Sequence, residues 1–208
     1  MIITRCFIFF KKIHEEHMNP PLNTDLVDKA IILATKAHGG TQRRGKGFPY
    51  IIHPLEALAI VATMTNDAEM LAAAVLHDCI EDTDITFSDI ERDFGERVAR
   101  LVMSETDVEE SVSGRPLTWQ ERKLRDMVKL SVAPRDEKIV AMGDKLSNMR
   151  AIARDYAEKG DEVWQIFCVK DKATHAWRYK GLRDAFAELS DTSAFREFDM
   201  LVRRVFGD

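Results

Sequence analysis

From Leu26 to Val205 apolar residues recur at three- and four-residue spacing, and strict two-residue alternation is absent. That period predicts helices rather than half-buried strands. Leu26, Val27, Ala30, Ile31, Ala34, Ala37 and His38 mark one face, with Asn23 or Thr24 as cap and Gly39-Gly40 as stop. A polar loop, GGTQRRGKGFPY, leads to a helix starting near His53, with Pro54 in its first turn. Asn66, three residues before Glu69, is placed to cap the next. Short helices follow over 86–94, stopped by Gly95, and over 96–105. Thr118 and Glu121 open a longer one with Leu124, Met127, Val128 and Ser131 inward, and Pro134 opens another over 135–156. Residues 161–180 read as a single helix stopped by Gly181; 182–189 and 194–206 close the chain with Phe186, Leu189, Phe195, Phe198, Leu201, Val202 and Val205. The predicted class is all-α, about nine helices in one domain, with the 107–117 loop as the segment expected to move.

Composition narrows the function classes. The 208 residues, 45% hydrophobic and 31% charged, suffice for one core. The net charge of −5 supplies no basic field for nucleic acid. Cys6, Cys79 and Cys168 are odd in number and lack a C-x-x-C spacing, which points to a reducing compartment, the cytoplasm, rather than a disulfide frame. No apolar run approaches the ~20 residues of a membrane span, so no membrane partner is expected. Residues 1–22 read as an N-terminal extension. Its apolar part, Ile2 to Phe10, precedes its lysines and lacks a small-residue cleavage site, which argues against a secretory signal. Two readings remain for it: a short element docked on the body, or a leader from an upstream start codon, with Met18 the natural first residue.

The chemistry concentrates in VLHDCIEDT, residues 75–83, where His77, Asp78, Glu81 and Asp82 crowd together. Carboxylates this close raise one another's pKa unless a cation sits among them. The cluster is either a solvated helix end or a metal site. Neighbours on one helix diverge by about 100°, so His77 and Asp78 can share an ion only near a helix end. His53 is either a cap or buried hydrogen-bonder, or a ligand. Asp144 flanks the apolar stripe Ile139, Met142, Leu146, Met149, Ala153 and shares a face with Asn148; it is either paired with a basic residue or a fourth ligand. Before it, Gly143 gives up about 1 kcal/mol of helix propensity for close backbone approach. Two histidines with two aspartates suit Mn²⁺, Fe²⁺ or Zn²⁺, whereas Mg²⁺ prefers oxygen alone. A single shared ion requires Asp144 within about 6 Å of the His77–Asp78 pair. Arg43, Arg44 and Lys46 form either a solvated turn or an anion-binding patch. Cys79 and His38 read as core groups, His14 and His17 as solvated, and His175, Trp177 and Tyr179 as core or pocket lining.

These motifs together resemble a known family. H…HD…D is the ligand signature of the HD-domain metallophosphohydrolases. AHGGTQRRGKGFPYIIHP at 37–54, LHDCIEDT, FGERVARLV and GDKLSNMR resemble the successive motifs of the RelA/SpoT-type (p)ppGpp hydrolase domain over roughly 35–155. The resemblance implies one helical HD hydrolase domain over 23–208, in a free-standing small alarmone hydrolase similar to the metazoan SpoT homologue. It implies cleavage of the 3′-pyrophosphate of ppGpp and pppGpp. By the same resemblance His53, His77, Asp78 and Asp144 hold Mn²⁺, and Glu81 and Asp82 orient or deprotonate the attacking water. Arg44 and Asn148 contact the nucleotide, with Lys46 and Lys145 as further basic contacts. Three positions depart from the family: Ala141 for lysine, Ser147 for histidine and Ala151 for threonine. Alternatives are a related phosphohydrolase acting on ppApp or the 2′-phosphate of NADPH, and a nucleotide-binding sensor without turnover.

Overall fold

The helical period is realised throughout the computed structural model, which describes residues 24–106, 111–112 and 115–208. Among the described residues the helices are α1 Asp25–Ala37, α2 Ile52–Val61, α3 Ala68–Leu76, the single turn α4 Cys79–Asp82, α5 Phe87–Phe94, α6 Glu96–Glu105, α7 Trp119–Val132, α8 Arg135–Lys159, α9 Lys172–Ala185 and α10 Ser193–Phe206. Two 3₁₀ segments, Gly160–Ile166 and Ala187–Leu189, and a two-residue antiparallel pair, Ser111–Val112 with Arg115–Pro116, complete them. The all-α expectation holds. The proposed 1–22 extension and most of the 107–117 loop lie outside the described residues.

Local chemistry sets the ends of these helices. Thr86 and Thr118 each form a reciprocal capping box, with Asp89 and Glu121. Asp67, not Asn66, caps α3: its Oδ1 accepts from the Glu69 and Met70 amides at 2.9 and 3.2 Å. A carboxylate there also complements the positive end of the helix dipole.

The long helix α8 runs through the centre and packs on α2, α3, α6 and α10. Met142, Leu146 and Met149 are fully buried there, in one core with Val61, Val75, Leu76, Trp164, Phe186 and Phe198. The α2–α8 crossing is closest at Gly143, where an added Cβ would lie 2.8 Å from both the Ala57 carbonyl oxygen and Val61 Cγ2. That proximity carries Asp144 toward the first turn of α2.

Three further expectations fail. Residues 161–180 are not one helix: the 3₁₀ segment ends at Ile166, and α9 restarts where the Asp171 carboxylate accepts the Thr174 amide at 2.7 Å. Gly181 does not stop α9 either, because it serves packing, with Met127 of α7 filling the space a Cβ would take. For the same reason Met127 and Leu130 form the buried face of α7, while Leu124 and Val128 are 52% and 57% exposed.

Candidate metal centre

Helix α3 ends at Leu76, and His77 and Asp78 occupy the break before α4. Both residues keep right-handed helical backbone, and both side chains reach one point at this helix end. His53 comes from the first turn of α2 and Asp144 from the middle of α8. His53 Nε2 lies 3.1 Å from Asp144 Oδ1 and 3.6 Å from Asp78 Oδ2. His77 Nε2 lies 3.0 Å from Asp78 Oδ2, 3.7 Å from Asp144 Oδ1 and 3.3 Å from His53 Nε2. His53, His77 and Asp144 are all buried, with one donor atom each within 4.8 Å of the others. Asp78 joins from the more open side.

The outer atoms of the imidazoles set their tautomers. His77 Nδ1 faces the Ala74 carbonyl at 2.8 Å and must donate to it. His53 Nδ1 lies 2.8 Å from Ser147 Oγ, whose hydroxyl donates to Glu56 Oε2 at 2.8 Å, so Nδ1–H again donates. In the neutral imidazoles both Nε2 lone pairs therefore point inward, at each other and at two carboxylates. Such a convergence of acceptors is repulsive unless a cation or an extra proton occupies it. The donor set fits a divalent ion: two imidazole nitrogens and two carboxylate oxygens, each imidazole oriented from behind.

The electrostatics agree. Burial pushes the His77 imidazole down, but the Asp78 and Asp144 carboxylates overcome it and hold His77 well above its ordinary value. Burial alone would raise Asp144, yet Lys145 and the two imidazoles hold it well below the carboxylate range. Desolvation keeps His53 low. Tyr50 donates to Asp78 Oδ2 at 2.6 Å, and burial together with that carboxylate pushes the phenol up.

The remaining expected residues separate. Asn148 donates to Asp144 Oδ1 and accepts from Arg43 Nη2. Lys145 donates to Asp144 Oδ2 at 2.5 Å and Glu105 Oε2 at 3.1 Å. Lys46 is held 2.5 Å from Asp155 Oδ2. Arg44 is exposed but lines a cavity of about 230 Å³ with Arg43, Tyr50, Asn148, Phe167 and Tyr179. Glu81 and Asp82 are exposed on α4, and Asp82 acts electrostatically on Tyr50, His38 and Cys79. His38 and Cys79 are buried together behind the site, Nε2 to Sγ 3.8 Å, and desolvation pushes the thiol up to about 12.

The contact of Arg43 with Asn148, the support of Asp78 by Tyr50 and the Glu56–Ser147 pairing were not readable from the sequence. The 41–50 loop is a small hairpin, bridged between Gln42 and Pro49, with Gly45 and Gly47 at φ 69° and 70°. It lays Arg43 over the Tyr50 ring at 5.2 Å. The run Pro49-Tyr50 before His53-Pro54, within the 37–54 motif, was the available signal for Tyr50.

Comparison with known proteins agrees with this geometry. The chain is 34% identical over 146 residues, 70% of its length and 20% of the relative's, to a guanosine-3′,5′-bis(diphosphate) 3′-pyrophosphohydrolase of Vibrio cholerae. It is 34% identical over 137 residues, 66% of its length and 18% of the relative's, to a GTP pyrophosphokinase of Brucella ovis. It thus spans about a fifth of the length of the curated relatives it matches. A solved metazoan orthologue of SpoT, described as hydrolysing ppGpp, shares the fold: TM-score 0.69 at 23% identity, over 90% of this chain and 98% of that one. A family model described as HD domain matches residues 30–171, a span that takes in His53, His77, Asp78 and Asp144, and by that match the chain belongs to the HD domain family.

Proposed function

We propose that this chain is a metal-dependent hydrolase that removes the 3′-pyrophosphate of ppGpp and pppGpp, giving GDP or GTP and pyrophosphate. The observation that carries the reading is the meeting of His53, His77, Asp78 and Asp144 from three separate chain segments, with nitrogen–oxygen distances of 3.0 to 3.7 Å. Similarity to the Vibrio cholerae pyrophosphohydrolase supports the substrate. Residues 23–208 form the hydrolase domain. We place it in the cytoplasm on the strength of Cys79 and Cys168, both free thiols.

His53, His77, Asp78 and Asp144 are the ligands, and their mixed nitrogen and oxygen donors suit Mn²⁺, with Fe²⁺ or Zn²⁺ as substitutes. A divalent ion supplies Lewis acidity there, neutralising phosphoryl charge and making water more acidic. The Glu56–Ser147 pair holds His53, and Tyr50 holds Asp78, so neither ligand must reorganise on loading. Glu81 and Asp82, beyond the α3 break, take the proton from the attacking water. The water oxygen bonds to phosphorus as the bond between phosphorus and the 3′-oxygen breaks, and the carboxyl that took the proton returns one to that oxygen, which leaves with the nucleotide. Arg43, Arg44 and Asn148 bind the nucleotide from the hairpin side. Lys145 contributes its charge through Asp144, which it holds ionised; Lys46 anchors the hairpin to α8 through Asp155.

The test is to give purified Mn²⁺-loaded protein ppGpp, ppApp and NADPH and to count released pyrophosphate and phosphate. Pyrophosphate from ppGpp that disappears in Asp78→Ala is the expected result. Faster turnover of ppApp or NADPH would move the substrate assignment, and binding without turnover would make the protein a nucleotide sensor.

A further inference from the structure

Arg178 on α9 lines two cavities at once. One is the cavity of about 230 Å³ beside Tyr50 and Asn148; the other, of about 400 Å³, is walled by Glu105, Lys129, Ala141 and Lys145. No other residue lines both. The first lies below the ~300–1,000 Å³ of typical small-molecule sites, so a nucleotide carrying two diphosphates must extend past one of its walls. Arg43, Lys46, Ala151 and Asp155 border a further cavity of about 400 Å³ that His53 lines, and Arg178 forms the wall toward the one at Ala141, whose small side chain leaves room there.

The charge at this wall is available. The Arg178 guanidinium carbon sits 5.7 Å from the Trp119 ring centre and 5.8 Å from that of Tyr179. Aromatic faces hold a guanidinium by its plane and leave its N–H edge free for a bidentate acceptor. Among the described residues no carboxylate pairs with it, whereas nearby Lys145, Lys46 and Lys123 are held by Asp144, Asp155 and Asp126. We propose that Arg178 binds the 5′-diphosphate of the nucleotide while the 3′-diphosphate lies at the metal centre. The second cavity then receives what extends beyond it, including the additional phosphate of pppGpp. This specificity role rests on the pyrophosphohydrolase reading above.

GDP, the product that keeps the 5′-diphosphate, tests the contact without turnover. Calorimetric titration of Mn²⁺-loaded wild type, Arg178→Leu and Arg178→Lys with GDP and guanosine is the experiment. Loss of a charge-assisted bidentate contact predicts a GDP affinity lower by about 10- to 100-fold in Arg178→Leu, with guanosine affinity unchanged. Arg178→Lys should fall between, and in turnover KM for ppGpp should rise about tenfold or more with kcat within twofold. A thermal melt establishes folding; should Arg178→Leu not fold, Arg178→Lys decides by the same comparison. Equal GDP affinity in all three proteins, equal losses for GDP and guanosine, or a wild type that binds no GDP would overturn the assignment. Selective loss of GDP affinity in Arg178→Leu, with a wild type that releases no pyrophosphate from ppGpp, would leave the Arg178 contact standing and remove the reaction instead.

Discussion

His53 and His77 each commit Nδ1 to a fixed acceptor, which turns Nε2 toward the centre. The His53 arrangement depends on one hydroxyl. Ser147→Ala removes the acceptor for Nδ1 and the donor to Glu56, while Glu56 keeps Arg150 at 3.3 Å. Loss of such an orienting partner typically costs about 10- to 100-fold in metal affinity. Competition titration against a chelator should show that loss in the Ser147→Ala protein; unchanged affinity would mean that His53 is oriented by packing alone. The residue types of the site were legible in the sequence, since HD, the more distant H-P and the GDKLSN run place imidazoles and carboxylates at recognisable spacings. Their supports were not. Arg43 rather than Arg44 touches Asn148 because the loop closes as a hairpin. Lys46 and Lys145, read as substrate contacts, have ammonium groups engaged by Asp155, and by Asp144 with Glu105. The pairings with Asp155 and Glu105 are set by how the hairpin and α6 pack on α8, which no local spacing encodes.

Two elements determine where the ligands meet. The end of α3 presents His77 and Asp78 together, and the α2–α8 crossing brings His53 to Asp144. Gly143→Ala would put a methyl 2.8 Å from the Ala57 carbonyl, where backbone must move. Overpacking of this kind costs about 1–3 kcal/mol. A urea titration should show that loss together with weaker metal binding, because the crossing that widens is the one joining two ligands. The sequence signalled this approach through a glycine inside a helical run, and it signalled the α7 start through Thr118 and Glu121. The Glu121 carboxylate is pulled down to about 2 by the Arg115 guanidinium first, then by the Thr118 amide and hydroxyl. A depressed carboxylate stabilises the fold above its unfolded value, and that contribution is lost as pH falls through the folded one. The cap should therefore persist through pH 4.5 and fail near pH 2. A carboxyl titration of Glu121 followed by NMR checks this; a midpoint near 4.5 would show that the box does not hold in solution.

At the scale of the molecule, loading the centre couples to stability. An ion that binds only the folded chain stabilises it by about 2.7 kcal/mol at a hundredfold excess over Kd. For a domain of this size that is a rise in Tm of about 5–11 °C. Scanning calorimetry should find the rise with Mn²⁺, its reversal by chelator and its absence in Asp144→Asn; an equal rise in Asp144→Asn would place the ion elsewhere. The helical class was legible at this scale because the 3.6-residue period persists along the chain. The break at 167–171 and the outward face of α7 were not, because both are decided by where α9 docks. One cation joining the three segments should show in anomalous diffraction from crystals grown with Mn²⁺. The expected result is a single strong peak about 2.0–2.3 Å from His53 Nε2, His77 Nε2, an Asp78 oxygen and an Asp144 oxygen. A fully loaded protein with no peak among those four side chains would contradict it.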